Sequence, residues 1–266
     1  MSLAFDAKAD ETIPATFDLI DSWFAERSSK PKVVLVGKEG VKKPPRYTLA
    51  TMRAAAATDE PDFRRSFDRL QFFPKGRTTV DSTWRPSVYF ALSTRRPASA
   101  FYCTNEALNE DWLLARLLQG AAIFRSAAAY GFWFPEKFSP LAYFWGISVE
   151  PEGDLVGAWA KRESERLSHW RDNTQIGIQS GSQRRFFDAG EGYVRDAYPL
   201  MVLGAEHMQR RAGASTFAMA IKERQLGSIS DEGNQVLWRI PGERLAEAQA
   251  LLDSSDISLS GRRLFP

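Results

Sequence analysis

The N-terminal half of the chain alternates between helix-like and strand-like patterns of apolar residues. Phe17, Ile20 and Phe24 recur at helical spacing and predict an amphipathic helix over residues 16–26. Residues 49–57 are rich in alanine, which favours a second helix. Alternating or continuous apolar runs predict four strands, at residues 33–36, 69–73, 87–92 and 98–104. A hairpin-length loop separates the last two runs, so the predicted sheet is mainly antiparallel.

The clearest helical pattern begins after Asn109. This asparagine is a favourable N-cap, and Glu110 and Asp111 follow in the first turn, where the helix dipole stabilises acidic side chains. The apolar residues that come next form one broad face, which predicts a core helix that runs to about Ala129. The aromatic run at residues 130–134 then ends this helix.

The composition shifts at residues 151–157, where proline, glycine and acidic residues predict a subdomain boundary. Beyond it, Ser215 can cap a helix, and alternating apolar residues at 235–240 predict a half-buried strand. Pro241 then suits the start of a last helix. We therefore expect an α+β fold in which each subdomain is a mainly antiparallel sheet with helices on one face. The two packed subdomains are predicted to cover residues 1–153 and 154–266.

Cysteine usage and hydropathy bear on the compartment. The single cysteine, Cys103, excludes an intrachain disulfide, which is typical of a reducing compartment. It lies in a strand pattern and is predicted to be a core residue and not a nucleophile. The opening residues carry charges where a signal peptide needs an apolar run, and no window is apolar enough to span a membrane. We expect a cytoplasmic protein that makes no membrane contact, with disorder only at the chain ends.

The net charge of +2 hides an uneven distribution of charged residues. Residues 27–97 hold sixteen bases and six acids, whereas residues 1–26 hold one base and six acids. The basic side chains lie mostly in turn-like stretches and include Lys38, Lys42, Lys43, Arg46, Arg64, Arg65, Lys75, Arg77, Arg95 and Arg96. Such a segment could attract a nucleic acid or another polyanion, which is the alternative function. Solvated loops are the simpler interpretation, because no nucleic-acid-binding motif accompanies the charge.

Residues that carry common catalytic chemistry are few. His169 and His207 are the two histidines; neither lies near a nucleophile-elbow sequence, and both are predicted to be structural or solvated. Metal-ligand and nucleotide-loop spacings are absent, so we expect no metal and no cofactor. After a glycine- and serine-rich stretch, Arg184 and Arg185 are candidates for holding an anion. Binding is favoured over catalysis, with an enzyme whose carboxylates converge only in three dimensions left open.

Aromatic residues occupy half of positions 130–145. Core packing explains most of them. However, Phe132, Trp133 and Phe134 are consecutive, and consecutive side chains of an extended segment point in opposite directions. Exposed aromatics beside Pro135 and a lysine are typical of a protein-binding patch. We predict that the three aromatics include partner contacts.

One C-terminal segment resembles a known protein family. The pattern V-R-D-x-Y-P occupies residues 194–199 and is followed by His207-Met208, a short helix, Leu226-Gly227 and a strand with Trp238. Over residues 192–266 this order resembles the tail of bacterial immunity proteins. Those proteins neutralise toxins that are delivered between competing cells, notably by type VI secretion.

The resemblance implies an immunity protein that binds a cognate toxin protein stoichiometrically in the cytoplasm, as in a toxin–antitoxin pair. Such complexes depend on charge complementarity and on buried aromatic anchors. The predicted partner contacts are Phe132, Trp133, Phe134, Tyr198, Arg184 and Arg185. The activity of the toxin and the oligomeric state are left open by the sequence.

Overall fold

The computed structural model divides into two compact units, Met1–Ser126 and Ala127–Pro266. The structure describes residues 2–6, 13–26, 30–31, 33–37, 46–58, 69–73, 88–93, 99–104, 109–133, 165–166, 168–169 and 192–261. Helices and antiparallel strands occur in both units, which confirms the α+β class. The predicted boundary at residue 153 lies outside the described residues and stays a prediction.

The described part of the first unit contains an antiparallel sheet of six strands. They are β1 (Ser2–Asp6), β2 (Val33–Gly37), β3 (Arg46–Tyr47), β4 (Arg69–Phe73), β5 (Val88–Ser93) and β6 (Ser99–Thr104). Their order in the sheet is β1-β6-β5-β4-β2-β3. The four strands predicted from apolar runs are therefore confirmed to within a residue or so at their ends. The hairpin between β5 and β6 is also confirmed, because these strands pair from Val88↔Thr104 to Ser93↔Ser99.

Three helices belong to the described part of this unit: α1 (Ile13–Ala25), α2 (Leu49–Thr58) and α3 (Glu110–Ile123). Asn109 caps α3 as predicted, since its side-chain oxygen accepts a hydrogen bond from the Trp112 amide at 2.8 Å. Trp23 on α1 is fully buried, and its indole N–H donates to Gln119 Oε1 on α3 at 3.0 Å. The Trp23 ring also meets Tyr102 of β6 edge-on, with ring centroids 5.0 Å apart. These contacts tie α1, α3 and the sheet into one core.

The structure corrects the expectation of disorder at the N-terminal end. Residues Ser2–Asp6 form β1, which pairs with β6 from Ser2↔Cys103 to Asp6↔Ser99. Leu3, Ala4 and Phe5 are completely buried. These three apolar residues supply the buried surface that orders this part of the chain.

The predicted end of α3 near Ala129 is also wrong. The helix ends at Ile123, and Arg125 adopts a left-handed backbone with φ 47°. The Ser126 amide then donates to the Ala121 carbonyl at 3.0 Å and closes the helix end. The alanines beyond it favour a helix intrinsically, yet Ala128 and Ala129 lie in a strand because burial outweighs propensity.

The described part of the second unit contains an antiparallel sheet and a short two-stranded ribbon. The sheet consists of β7 (Ala128–Phe132), β8 (Leu200–Gly204), β11 (Ser228–Glu232) and β12 (Gln235–Arg239), in the order β11-β12-β8-β7. The ribbon consists of β9 (Arg211–Ala212) and β10 (Ser215–Thr216). Every residue of β7 and β8 is buried, whereas β11 lies at an exposed edge.

Three α-helices accompany this sheet in the part of the unit that is described. They are α4 (Ala205–Gln209), α5 (Phe217–Glu223) and α6 (Leu245–Ser254). The cap of α5 is Thr216, one residue after the predicted Ser215. Pro241 precedes a 3-10 turn, Gly242–Arg244, that leads into α6, so the predicted last helix is confirmed.

The turn between α5 and β11 fixes the largest aromatic residue of this core. Trp238 of β12 is fully buried, stacks edge-on against Phe217 at 5.3 Å, and donates its indole N–H to the Leu226 carbonyl at 2.8 Å. Gly227 follows with φ +106°, a conformation that side-chain-bearing residues rarely adopt. An added Cβ at Gly227 would lie 2.0 Å from the Arg239 carbonyl oxygen. The turn therefore requires glycine for two separate reasons.

Candidate partner-binding site

Two of the predicted partner contacts, Phe132 and Tyr198, lie in the core of the second unit. Phe132 is 3% exposed and Tyr198 is 6% exposed. The Tyr198 ring packs against Phe132, with centroids 5.0 Å apart, and against Tyr130 at 4.9 Å. We call these three rings the aromatic cluster. Because Phe132 and Tyr198 are buried, neither ring forms a surface contact, and a part in partner binding would be indirect.

Trp133 is the member of the predicted patch that reaches the surface. It directly follows β7, and 48% of the residue is exposed. Among the described residues, the other exposed large apolar residues are Tyr47 and Met219, at 40% and 53%. The β7 backbone before Trp133 is fixed by pairing with β8 up to Gly131↔Leu200. The indole ring therefore projects from a rigid, buried strand.

The remaining predicted contacts, Phe134, Arg184 and Arg185, lie outside the described residues, so their role stays a prediction. The same holds for most of the basic segment. Of its ten named members, Arg46 lies within a described element, strand β3. The polyanion hypothesis is therefore also left as a prediction.

The V-R-D-x-Y-P segment is a structural hub of the second unit. Val194 forms a parallel bridge with Ser258, and its amide donates to the Ile257 carbonyl at 3.0 Å. The Ala197 amide donates to Gln249 Oε1 on α6 at 2.8 Å, and the Pro199 carbonyl accepts from the Ile240 amide at 2.8 Å. The segment thus connects the C-terminal turn, α6 and the end of β12. Its strand pairing is limited to the isolated bridge at Val194.

An ionic network stands at the centre of this hub. Arg166, which lies in a helical stretch, donates to Asp196 Oδ1 from Nε at 2.8 Å and also from Nη2. It donates to Asp253 Oδ2 on α6 from Nη1 at 2.9 Å. The Ser258 hydroxyl lies within 3.2 Å of Arg166 Nη2 and donates to the Arg195 carbonyl at 2.9 Å. We call Arg166, Asp196 and Asp253 the arginine–aspartate network.

Burial and charge act in opposite directions in this network. Burial raises the pKa of Asp196, although Arg166 and Arg195 oppose the change by favouring the carboxylate. Burial alone would lower the pKa of Arg166, but the Asp196 and Asp253 charges and hydrogen bonds outweigh it and raise that pKa. Asp196 and Asp253 are thus two carboxylates that do converge in space. Both are held by one guanidinium, which favours a structural role over acid–base chemistry.

This network was not predicted from the sequence. Asp196 lay inside the resembling segment, but nothing near it marked Arg166 or Asp253 as its partners. The pairs Arg166–Asp196 and Arg166–Asp253 are separated by 30 and 87 positions. Short-range spacing therefore could not have revealed them.

Both histidines have hydrogen-bonding structural positions, as predicted. His169 Nδ1 lies 3.3 Å from the Ser260 carbonyl oxygen. His207 is completely buried, and its Nε2 lies 3.1 Å from the Tyr193 carbonyl oxygen, so Nε2 carries the proton that is donated. His207 Nδ1 lies 3.6 Å from Glu206 Oε1. Burial lowers the pKa of His207, with Arg210 acting in the same direction and Glu206 against it.

The second unit is expected to lose stability as the pH falls through about 6.5, the ordinary pKa of histidine. His207 has a lowered pKa when folded, so the unfolded chain binds the proton more readily, and the unfolding free energy decreases on acidification. We expect His207→Gln, which retains a donor for the Tyr193 carbonyl, to flatten this dependence in urea unfolding curves at pH 5 to 8. If the unfolding free energy changed equally with pH in the wild type and in His207→Gln, His207 would not be the source of the pH dependence.

Among the described residues, no group of three or more histidine, cysteine, aspartate or glutamate side chains is arranged to hold a metal ion. The described helices also include none that is long and apolar enough to cross a membrane. Among the described residues, Trp133 is an exposed aromatic side chain directly after the buried strand β7. Comparisons with known proteins find no matching family model, no similar curated protein and no similar solved structure.

Proposed function

We propose that this chain is a cytoplasmic immunity protein that binds a cognate bacterial toxin stoichiometrically and neutralises it. The toxin would be of the kind delivered between competing cells, as in type VI secretion. The proposal starts from the resemblance of residues 192–266 to immunity proteins. The structural observation that supports it most directly is Trp133, which is 48% exposed beside a buried strand.

Trp133 has the properties of an interface anchor. Tryptophan is enriched among the residues that dominate binding energy, because its large rigid ring buries much apolar surface at a small entropic cost. The neighbouring aromatic cluster is buried, and Tyr198 contacts both Tyr130 and Phe132. Because the backbone that leads to Trp133 is fixed by strand pairing, less backbone entropy is lost when the ring binds a partner.

The ionic groups near this framework support binding more than turnover. Arg166 forms ion pairs with both Asp196 and Asp253, and the His207 ring is completely buried. Side chains that are occupied in this way stabilise the fold and do not reach a bound substrate. A stoichiometric inhibitor needs a stable framework, and the buried ionic groups of the second unit contribute to one.

Co-expression with a candidate toxin from a neighbouring gene tests the proposal. The toxin alone is expected to arrest growth of the host, and co-expression of this chain is expected to restore growth. The purified pair should elute as one complex in size-exclusion chromatography. A toxin that stays lethal beside soluble, abundant immunity protein would overturn the proposal.

We expect Trp133→Ala to weaken the toxin complex by about 2 kcal/mol, or roughly thirtyfold in Kd, as is typical of a central aromatic anchor. Isothermal titration calorimetry with the purified toxin measures this change. Met219→Ala is the matched control, because Met219 is similarly exposed, at 53%, on α5 of the same unit. An unchanged Kd for Trp133→Ala, with growth still rescued, would remove Trp133 from the interface while leaving the function itself untouched.

A further inference from the structure

The outer strand of the second unit's sheet, β11, has one unpaired edge among the described strands. It pairs with β12 on one side and comes last in the sheet order. Ile229 is half-buried, and the other residues, Ser228, Ser230, Asp231 and Glu232, are exposed. A strand in this position presents backbone donors and acceptors to any extended segment that approaches it.

The register of the hairpin identifies which backbone groups face outward. Gly233 and Asn234 form a two-residue turn between the paired residues Glu232 and Gln235. The pair that closes such a turn is hydrogen-bonded, and hydrogen-bonded and non-hydrogen-bonded pairs then alternate along the strands. The amides of Ser230 and Glu232 therefore bond to β12. The amides and carbonyls of Ile229 and Asp231 point away from β12, towards the free edge.

This edge lacks two of the usual devices that block strand addition. Pairing runs one-to-one from Ser228↔Arg239 to Glu232↔Gln235, so no bulge distorts the strand. Proline does not occur in the sequence of β11. Its charges are confined to one end, at Asp231 and Glu232, and within the described part of the chain neither carboxylate forms an ion pair. Glu232 accepts a hydrogen bond from the Ser230 hydroxyl at 3.1 Å.

We propose that β11 is a docking edge for an extended, basic segment of a partner protein, which adds to the sheet as a further strand. The outward amides and carbonyls of Ile229 and Asp231 supply the backbone hydrogen bonds, and Asp231 and Glu232 select lysine or arginine side chains. Under the proposed function the partner is the toxin, and to that extent the inference rests on it. The edge itself can be tested without the toxin.

Charge decides between this occupant and a second copy of the chain. β11 contains no basic residue, so in a pairing of two β11 strands Asp231 and Glu232 lie opposite neutral residues or, in a parallel register, opposite the same acids, and like charges directly opposite one another are destabilising. An acidic segment is disfavoured for the same reason. A basic segment instead gains cross-strand ion pairs at the end where Asp231 and Glu232 lie.

Amide hydrogen exchange of the full chain, followed by NMR, tests the docking edge with a synthetic peptide of alternating lysine and threonine as the probe. Addition of the peptide is expected to slow exchange at the amides of Ile229 and Asp231 by about tenfold or more. The amides of Ser230 and Glu232 already bond to β12 and should change little. A peptide of alternating glutamate and threonine should protect neither pair.

Charge variants complete the test. The double variant Asp231→Lys/Glu232→Lys should abolish protection by the lysine peptide, whereas Glu243→Lys, another exposed acid of the same unit, should retain it. The inference would be overturned if the lysine peptide protected none of the four amides, or protected all four equally. It would also be overturned if the double variant left the protection unchanged. A concentration-dependent dimer protected at Ile229 and Asp231 would overturn it as well, because the occupant would then be a second copy. Toxin rescue that persists in the double variant would overturn only the link to the toxin.

Discussion

Replacing Gly227 with alanine is expected to lower the unfolding free energy by about 3 kcal/mol or more, because two costs add at this position. The backbone φ of +106° is strained for a residue with a side chain, and the new Cβ would lie 2.0 Å from the Arg239 carbonyl oxygen. That oxygen belongs to β12, so it cannot move without disturbing the sheet. The adjoining Leu226 carbonyl, which binds the buried Trp238 indole, would be displaced as well.

Gly233→Ala is the matched control for this substitution. Gly233 also has a positive φ, of +76°, but an added Cβ there meets nothing within 4 Å. Its cost should therefore be limited to backbone strain, about 1 kcal/mol. Urea denaturation monitored by tryptophan fluorescence measures both variants. Equal losses for the two would show that the contact with Arg239 contributes nothing.

Replacing Asp196 with alanine is expected to destabilise the second unit by about 3–5 kcal/mol, the typical cost of breaking a buried ion pair from one side. The Asp196 side chain is 7% exposed and that of Arg166 is 15% exposed. Removal of the carboxylate leaves the guanidinium with Asp253 and the Ser258 hydroxyl as its remaining partners. It also leaves the buried Arg195 beside the vacated position without the attraction of Asp196.

Asp253→Ala removes the other carboxylate of the arginine–aspartate network and serves as its control. The Asp253 side chain is 32% exposed, so water can replace part of the hydrogen bonding that Asp253 provides to Arg166. We expect a loss of about 1 kcal/mol, within the range of partly exposed ion pairs. The two variants are compared by thermal and urea unfolding at neutral pH. Equal destabilisation would contradict the view that burial determines the cost.

The elements that could be predicted from the sequence are those that local chemistry determines. Asn109 with Glu110 and Asp111 predicted the start of α3 correctly, because a cap and a first turn involve only near neighbours. The alternation of Val236, Trp238 and Ile240 likewise predicted β12. The contacts that start α3 lie within a few residues of Asn109. The alternation that predicts β12 is the pattern of a strand with one buried and one exposed face.

The elements that were missed depend on distant partners. The alanines of β7 favour a helix, and they form a strand because they pair with β8, as in Ala128↔Leu203. Strand β1 is ordered by β6, about a hundred residues later in the chain. For the candidate site, the sequence indicated an aromatic patch but could not tell that Phe132 is buried and Trp133 exposed, because the direction of each ring depends on that same long-range pairing.

The pairing of β1 with β6 has a consequence for the order of events during synthesis. Leu3, Ala4 and Phe5 leave the ribosome about a hundred residues before β6, the strand that pairs with them, is complete at Thr104. At translation rates of about 5–20 residues per second, this apolar segment is unpaired for several seconds before β6 has been synthesised. Sheets with such sequence-distant pairs fold slowly, because the loop must close before the contact stabilises it. The first unit therefore completes its sheet late, and the apolar residues of β1 stay without their strand partner until it does.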